Sequence, residues 1–308
     1  MPDTLRIVSF LPSATEIAFT LGLGENLVGV THECDYPPEA RTRTVVVRNV
    51  LPIETMNQGE IDRAVAERIA SGQSLYQIDE EVLQRLSPDL ILTQDLCQVC
   101  APSGNEVSQV LNSLEKKPQV LWMTPRNLKE IEDNIRDLGV ATGRAEQAEQ
   151  LIAAGRARLD GVSEITKTIS HRPRISFLEW LDPIYCAGHW VPEMIEIAGG
   201  VDRLGCKGGD STRVSWDDVL QWAPEVLVIA PCGFNLEQVL EQVQPLLDRP
   251  GWSELPAVRS GRVFAVDANS YFARPGPRVV EGTELLAHLF HPEVFEWAGP
   301  SDAFSILR

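Results

Sequence analysis

The chain has 308 residues, of which 44% are hydrophobic, so it is long enough for two domains of ordinary size with full hydrophobic cores. Asp and Glu outnumber Lys and Arg by 44 to 27, which gives a formal net charge of −17. This charge would repel a polyanion, and no run of basic residues offsets it, so we expect no nucleic-acid partner. Every apolar stretch is shorter than the roughly 20 residues that cross a bilayer, so we expect no transmembrane segment.

The N-terminal sequence MPDTLRIVSFLPSATE lacks a basic region followed by an apolar core and a small-residue cleavage site. Without a signal peptide the sequence predicts a cytoplasmic protein, and a periplasmic one only if a leader has been removed. Six cysteines are too few for a disulfide scaffold, and a reducing compartment disfavours disulfides.

Short β-rich runs alternate with helical stretches over residues 1–125, which predicts an N-terminal α/β lobe with a mainly parallel sheet. RIVSF predicts the first strand. Ser13 and Glu16 fit a capping box at the start of a helix that ends near Gly22. LVGVT and DLILTQ predict two further strands, and helices are predicted at 57–72 and 79–86.

The segment 126–168 contains no proline and repeats apolar residues at helical spacing. This pattern predicts one long linker helix between two lobes. Gly143 leaves open the alternative of two helices joined by a turn.

A second α/β lobe is predicted over 169–308, and its RISFLEW resembles RIVSFLP near the N-terminus. DEEVLQRLSPDLILTQ from Asp79 and SWDDVLQWAPEVLVIA from Ser215 match in character without a gap, so that Ser215 corresponds to Asp79. By the same alignment Asp217 corresponds to Glu81. We therefore expect two lobes of similar fold, a divergent duplication.

Ligands of open parallel α/β sheets bind at the carboxyl ends of the strands. Two such edges facing one another predict a ligand cleft between the lobes. The residues that follow the predicted strands, and that we expect to contact a ligand, are His32, Glu33, Cys34, Cys97 and Cys100 in the first lobe, and Trp180, His189, Trp190, Cys232, Phe234, Tyr271, Phe272 and Arg274 in the second.

The tryptophans divide into two groups by their predicted positions. Trp180 and Trp190 fall in the predicted cleft, where an indole can stack on a large planar or apolar ligand. We expect the others that can be placed, namely Trp122, Trp216, Trp222 and Trp252, to pack in the core or between elements.

Cys97 and Cys100 form a Cys-x-x-Cys pair, for which several interpretations are open. A structural zinc site usually combines two such units, and the sequence has no second unit. Pro102 follows the pair directly, which disfavours a helical thioredoxin-type redox centre. Cys206 is expected to be a small buried apolar residue. A metal site stays open if loops converge, with ligands drawn from His32, Cys34, Cys97, Cys100, His189 and Cys232.

No common catalytic signature is present. The sequence contains no Walker-type glycine loop, no G-x-G-x-x-G after a strand, no G-x-S-x-G and no H-E-x-x-H. The sequence therefore favours a binding protein over an enzyme.

Four segments carry a family resemblance: IVSFLPSATEIAFTLGLGENLVGVTHECDYPPEA, LSPDLILTQ, APEVLVIA and SYFARPGPRVVEG. In this order and spacing they resemble the cobalamin-binding substrate-binding proteins of bacterial ABC importers, within the iron-siderophore and cobalamin superfamily. The resemblance spans about Arg6 to His288. It implies two Rossmann-like α/β lobes joined by a single long helix, a corrinoid held between the lobes largely by aromatic residues, and a monomer.

The resemblance also implies roles for particular residues. Tyr36 and Tyr271 match aromatic positions near the family's ligand. Glu81 and Asp217 match the two acidic residues, one per lobe, that dock on arginines of the permease. An acidic residue in the first turn of a helix is also favoured by the helix dipole alone.

The chain departs from the exported members in its thiol and imidazole content and in lacking an export signal, and resembles a leaderless subgroup of cobalamin-binding proteins. The leading hypothesis is non-enzymatic binding of a cobalamin-like corrinoid, or a related metal macrocycle, in the cleft. A first alternative is a zinc or other transition-metal binding protein with Cys and His ligands. A second alternative is a redox or cobalt-ligand-processing enzyme that uses Cys97 and Cys100.

Overall fold

The computed structural model describes residues 5–94, 110–111 and 114–307 of the chain. They form two compact α/β units, as the sequence predicted. Unit 1 comprises Met1–Met56, Glu60–Pro125 and Lys129–Ile152, and unit 2 comprises Asn57–Gly59, Arg126–Leu128 and Ala153–Arg308.

Unit 1 contains a six-stranded sheet in the order β4-β3-β2-β1-β5-β6. All neighbouring strands are parallel except β3 and β4. The central strands are fully buried because hydrophobic residues occupy both of their faces, as expected for a parallel sheet covered on both sides. The strands are β1 Ile7–Ser9, β2 Leu27–Thr31, β3 Thr44–Asn49, β4 Tyr76–Ile78, β5 Leu90–Thr93 and β6 Gln119–Trp122.

The helices of the first 94 residues are α1 Pro12–Thr20, α2 Gln58–Ala70 and α3 Glu80–Leu86. The predicted capping box at Ser13 and Glu16 is wrong. Helix α1 begins at Pro12, whose fixed φ and missing N–H suit the first helical position, so both residues lie within the helix and are buried. The predicted end is confirmed, because Gly22 adopts φ 75° just after the helix.

Unit 2 contains a seven-stranded mixed sheet in the order β10-β8-β7-β11-β12-β13, with β9 paired to β7. Strand β7 is parallel to β11, which is parallel to β12, and the outer strands β8, β10 and β13 run antiparallel to their neighbours. The strands are β7 Arg174–Leu181, β8 Ile184–Cys186, β9 Val201–Asp202, β10 Thr212–Arg213, β11 Val226–Ile229, β12 Val263–Val266 and β13 Phe304–Ile306.

The segment predicted as one linker helix, 126–168, forms two helices, α4 Leu128–Ala141 and α5 Ala145–Thr166. The turn between them contains Gly143 at φ 71°, a backbone conformation that favours glycine. This is the alternative that the sequence left open. The two helices approach closely at this end, because a Cβ on Gly139 would lie 2.5 Å from the Cβ of Ala148. The boundary between unit 1 and unit 2 falls within helix α5, between Ile152 and Ala153.

The remaining helices all belong to unit 2. The longest of them, α12, is buried along most of its length and packs against α6. They are α6 Val191–Ile197, α7 Trp216–Trp222, α8 Leu236–Gln242, α9 Gln244–Leu247, α10 Pro256–Arg259, α11 Ala268–Tyr271 and α12 Val279–Phe290.

The predicted duplication is visible at the ends of α3 and α7. Asp79 and Ser215, which correspond in the sequence alignment of the two units, each cap their helix by accepting a hydrogen bond from a backbone N–H three positions on. Both helices end in a non-glycine residue at positive φ, Ser87 at 41° and Ala223 at 49°. These two residues also correspond in the same alignment.

A second matched contact fixes the strand that follows each helix. In unit 1 the carboxylate of Asp89 accepts a hydrogen bond from the backbone N–H of Arg6 at 2.8 Å. In unit 2 the carboxylate of Glu225, the residue that corresponds to Asp89, accepts one from the backbone N–H of Arg174 at 3.0 Å. Both contacts lie at the amino ends of paired parallel strands, β1 with β5 and β7 with β11.

Candidate functional site

Trp180 lies near the carboxyl end of β7 in unit 2 and is partly exposed. Its indole N–H donates to the backbone oxygen of Asp182 at 3.1 Å. Its ring meets the ring of Phe234 edge to face, with centroids 5.6 Å apart. These two contacts hold the indole in one orientation, as a contact surface for an aromatic or macrocyclic ligand requires.

The other aromatic residues predicted for this edge are buried. The exposed fractions of Trp190, Phe234, Tyr271 and Phe272 are 6%, 7%, 7% and 2%. The indole N–H of Trp190 donates to the backbone oxygen of Phe272 at 2.9 Å, which satisfies a donor that burial would otherwise leave unpaired. These side chains therefore do not present the open stacking face that was expected. Arg274, on the same segment, is also buried, with 7% exposed.

Glu179 precedes Trp180 on β7, and its carboxylate organises two loops of unit 2. One oxygen accepts a hydrogen bond from the backbone N–H of Gly188 at 3.2 Å, and the other accepts one from the Ser211 hydroxyl. Desolvation raises the pKa of Glu179 to about 7, and the nearby charge of Asp202 adds to the rise. The hydrogen bonds from Ser211 and Gly188 oppose it. This carboxyl group therefore changes its charge near neutral pH.

His189 has a positive φ of 52°, an uncommon backbone conformation for a residue other than glycine. Its backbone N–H donates to the oxygen of Gly209 at 2.6 Å, which ties it to the loop before β10. Its Nε2 atom lies 3.3 Å from Asp210 Oδ1. Burial lowers the pKa of His189, although the charge of Asp210 opposes this, so the imidazole is mainly neutral at pH 7.

The cysteines of unit 2 lie in different environments. Cys232 is exposed, and its backbone N–H donates to the oxygen of Glu179 at 3.0 Å, which places it beside the carboxyl end of β7. Cys186 is buried, and desolvation strongly raises the pKa of its thiol, so it is a poor nucleophile. Cys206 was expected to be buried but is exposed, because it lies in a glycine-rich loop between β9 and β10.

In unit 1, His32 and Cys34 follow β2. His32 is partly buried, and its Nδ1 atom lies 3.2 Å from both Thr31 Oγ1 and the backbone oxygen of Val47. Cys34 is 3% exposed, and its sulfur lies 3.0 Å from Thr15 Oγ1. The thiol is therefore engaged in the interior of unit 1, in contrast to its predicted place at a ligand surface.

The neighbours of these two residues are more accessible. Glu33 is partly exposed, with Oε1 3.8 Å from His32 Nε2. Tyr36 is 46% exposed. Among the predicted ligand contacts of unit 1 that the structure describes, Tyr36 presents the largest exposed aromatic surface.

The predicted pair Cys97 and Cys100 lies outside the described residues, so the interpretations that depend on it stay predictions. Over residues 5–94, 110–111 and 114–307, no group of three or more His, Cys, Asp or Glu side chains is arranged to hold a metal ion. Within that part of the chain the zinc alternative therefore has no support.

Glu81 and Asp217 are both exposed and lie in the first turns of α3 and α7. Their equivalent positions follow from the matched capping of the two helices. The structure therefore presents one accessible carboxylate at the same place in each unit, as the resemblance implies for docking residues.

Trp122 is an exposed aromatic residue at a strand end that the sequence interpretation did not count among the ligand contacts. It was expected in the core but is 41% exposed, at the carboxyl end of β6. The reason is that β6 is an edge strand of its sheet, and its burial is partial throughout. The sequence signal that could have identified this edge strand is the short run QVLW between polar segments.

None of the helices that the structure describes has the length and apolar composition needed to cross a membrane.

Comparison with known proteins gives consistent results for sequence and fold. The chain is 28% identical over 282 residues to the vitamin B12-binding protein of Vibrio cholerae, covering 91% of this chain and 86% of that one. It is 27% identical over 304 residues to an uncharacterized ABC transporter substrate-binding lipoprotein of Bacillus subtilis, covering 94% and 81%.

Solved structures share the fold. The periplasmic vitamin B12 binding protein of Vibrio cholerae superposes with a TM-score of 0.67 at 25% identity, covering 93% of this chain and 96% of that one. A periplasmic heme-binding protein from Roseiflexus sp. RS-1 gives a TM-score of 0.70 at 24% identity, covering 94% and 99%. Residues 7–270 match the family described as periplasmic binding protein, and the chain therefore belongs to that family.

Proposed function

We propose that this protein binds a cobalamin-like corrinoid, or a related metal macrocycle, as the substrate-binding component of an ABC importer. The observation that carries the proposal is the family match over residues 7–270 together with a vitamin B12-binding relative that aligns with 91% of the chain. The macrocycle is cargo, and the protein's task is to capture it and release it without chemical change.

Trp180 is the residue of unit 2 that best supports a macrocycle contact. Of the aromatic side chains predicted for this edge it is the partly exposed one, and its N–H and ring edge are already fixed by Asp182 and Phe234. A rigid aromatic side chain loses little conformational entropy on binding, so its apolar face adds directly to affinity. Tyr36 provides an exposed aromatic side chain in unit 1.

The test is a titration of the purified chain with hydroxocobalamin and, in parallel, with hemin, followed by visible absorbance. We expect saturable one-to-one binding of the corrinoid, weakened about tenfold or more by Trp180→Ala, because the lost stacking area corresponds to about 1.4 kcal/mol. Tight hemin binding with no cobalamin binding would transfer the proposal to heme. No binding of either macrocycle would refute it.

Trp222→Ala is the matched control. Trp222 is also partly exposed and also donates its indole N–H to a backbone oxygen, that of Ile175 at 2.8 Å. Ile175 is at the amino end of β7, whereas Trp180 is near the carboxyl end. Equal losses in the two variants would point to general destabilisation.

The proposal includes an ABC permease that docks on Glu81 and Asp217. The sequence allows a cytoplasmic or a periplasmic location. One relative is named as a lipoprotein and another as periplasmic, and both favour the periplasmic location for this chain. The double variant Glu81→Gln, Asp217→Asn should keep the cobalamin Kd unchanged and abolish uptake in a reconstituted transport assay. Undiminished uptake would refute these docking residues while leaving ligand binding intact.

A further inference from the structure

A pocket of about 390 Å³ lies wholly within unit 2, beside the turn that joins β7 to β8. Its polar lining consists of Arg213, Arg249, Asp182 and Ser215, and Trp216 forms one wall. None of the residues predicted for the macrocycle lines it. The pocket is therefore a separate feature of the molecule.

The guanidinium of Arg249 has unused hydrogen-bonding capacity. Its Nη2 atom donates to the backbone oxygen of Leu181 at 3.2 Å, and its Cζ atom lies 5.8 Å from the ring centroid of Trp216. Its Nε–H is shielded from water and has no acceptor in the described part of the chain. A buried donor without an acceptor is unfavourable, and a bound acceptor that draws the guanidinium slightly outward would relieve it.

Arg213 is exposed at the other side of the pocket. Across the described ranges its guanidinium makes no hydrogen bond and no ion pair, whereas Arg136, Arg158 and Arg174 are all paired with carboxylates. Arg249 also has no carboxylate partner in the described part of the chain, so two guanidinium groups without a carboxylate partner line one pocket.

The carboxylates nearby leave this charge uncompensated. Asp182 lines the pocket but is not within 4.0 Å of either guanidinium in the part of the chain that is described. Asp218 is turned toward Ser215, accepting hydrogen bonds from its N–H at 2.9 Å and its hydroxyl at 2.6 Å. The pocket therefore carries two positive charges against one carboxylate in its lining.

We propose that this pocket binds a small oxyanion, a phosphate or a carboxylate, between Arg213 and Arg249. The planar guanidinium offers paired donors that match the oxygens of either group. Trp216 acts as a support for Arg249 and not as a stacking surface for the ligand, because its ring is already stacked on Trp252, with centroids 6.2 Å apart. The inference stands whether or not the chain binds a corrinoid.

The pocket volume of about 390 Å³ suits a small anion. The net charge of −17 disfavours approach of any anion, so we expect weak binding that rests on local contacts. The arginine contacts are partly exposed, and added salt should weaken the binding further.

The experiment is calorimetric titration of the full chain with sodium phosphate and, separately, with sodium acetate, at low ionic strength. Arg213→Gln should weaken binding at least about fivefold, because a charged hydrogen-bonding partner is lost from an exposed site. Asp182→Asn should strengthen it, because the carboxylate in the lining is removed. The difference between the two affinities shows whether the pocket prefers a phosphate or a carboxylate.

Arg203→Gln is the matched control. Arg203 is also an exposed arginine of unit 2 and its Cζ atom also lies near an indole, 5.4 Å from the ring centroid of Trp222, but it does not line the pocket. We expect it to bind phosphate and acetate like the wild type. Equal effects of Arg203→Gln and Arg213→Gln would overturn the inference, because they would show a nonspecific loss of charge.

A second measurement follows Arg249 without replacing it. In ¹⁵N-labelled protein the shielded Nε–H of Arg249 should give a signal that shifts on addition of phosphate or acetate and saturates with the calorimetric Kd. Saturable shifts confined to other residues, or no saturable effect of either anion, would overturn the proposal.

Discussion

Replacement of Glu179 by Gln tests whether a carboxylate inside unit 2 destabilises the fold at neutral pH. Desolvation raises the pKa of Glu179 from its ordinary 4.5 to about 7. The folded state therefore holds the proton more tightly than the unfolded state. This contribution to stability is fully present below about pH 4.5 and is lost as the pH rises to about 7.

A rise in pKa from 4.5 to about 7 corresponds to about 3 kcal/mol of free energy of unfolding, at 1.36 kcal/mol per pKa unit. Glutamine keeps an oxygen for the Gly188 N–H and offers an amide donor to the Ser211 oxygen, but it cannot ionise. We therefore expect Glu179→Gln to be more stable than the wild type at pH 8, by up to about 3 kcal/mol, and similar at pH 4.

The assay is urea unfolding between pH 4 and pH 8.5, followed by tryptophan fluorescence. All tryptophans except Trp122 lie in unit 2, so the signal reports mainly on the unit that contains Glu179. Parallel stability profiles for the variant and the wild type would refute the reasoning, because they would show that the carboxyl group titrates alike in both states.

Glu225→Gln provides a control of opposite sign in the same unit. Desolvation opposes the shift, but the hydrogen bond from the Arg174 N–H and the charge of Arg174 together lower the pKa of Glu225. Its stabilisation is present above about pH 4.5 and is lost as the pH falls through the lowered pKa. We expect Glu225→Gln to be less stable than the wild type at pH 7, with a difference that shrinks at low pH.

Further predictions concern the backbone. Ser87→Gly and Ala223→Gly should each raise the free energy of unfolding by about 1 kcal/mol in urea, because both residues adopt positive φ; lower stability would contradict this. Gly139→Ala should cost about 1–3 kcal/mol, because its Cβ would lie 2.5 Å from the Cβ of Ala148. Gly161→Ala should instead stabilise helix α5 by about 0.5–1 kcal/mol, because a Cβ there meets open space. Unfolding followed by circular dichroism measures both effects. Equal effects of the two substitutions would contradict the packing argument.

The elements that local residue chemistry determines were predictable from the sequence. LVGVT is strand β2 as predicted, because a short β-branched run between helix-ending signals has few alternatives. Helix α3 ends where Pro88 follows, and Asp79 caps its start. The start of α1 was placed wrongly, because Ser13 fits a capping pattern in the sequence while Pro12 takes the first helical position.

The sequence could place the candidate residues at strand ends but could not give their exposure. Trp180 and Cys232 follow predicted strands, and Cys232 lies beside the carboxyl end of β7, because its N–H donates to the backbone oxygen of Glu179. The predicted strand ends did not reveal that Trp190 donates to Phe272 and is buried, since that contact joins residues far apart in the sequence. The pocket with Arg213 and Arg249 was missed for the same reason.

The matched contacts of Asp89 with Arg6 and of Glu225 with Arg174 explain why the duplication is clear in one part of the sequence and absent in another. A carboxylate that accepts from a backbone N–H at the start of a neighbouring strand fixes the register of that strand pair. Register determines which side chains face the core. The helix before this contact, the proline break and the following strand therefore tolerate few changes. The loops at the opposite ends of the strands are under no such constraint. They are therefore free to differ between the units, and in unit 2 Trp180 at the end of β7 and Cys232 in the loop after β11 lie at these ends.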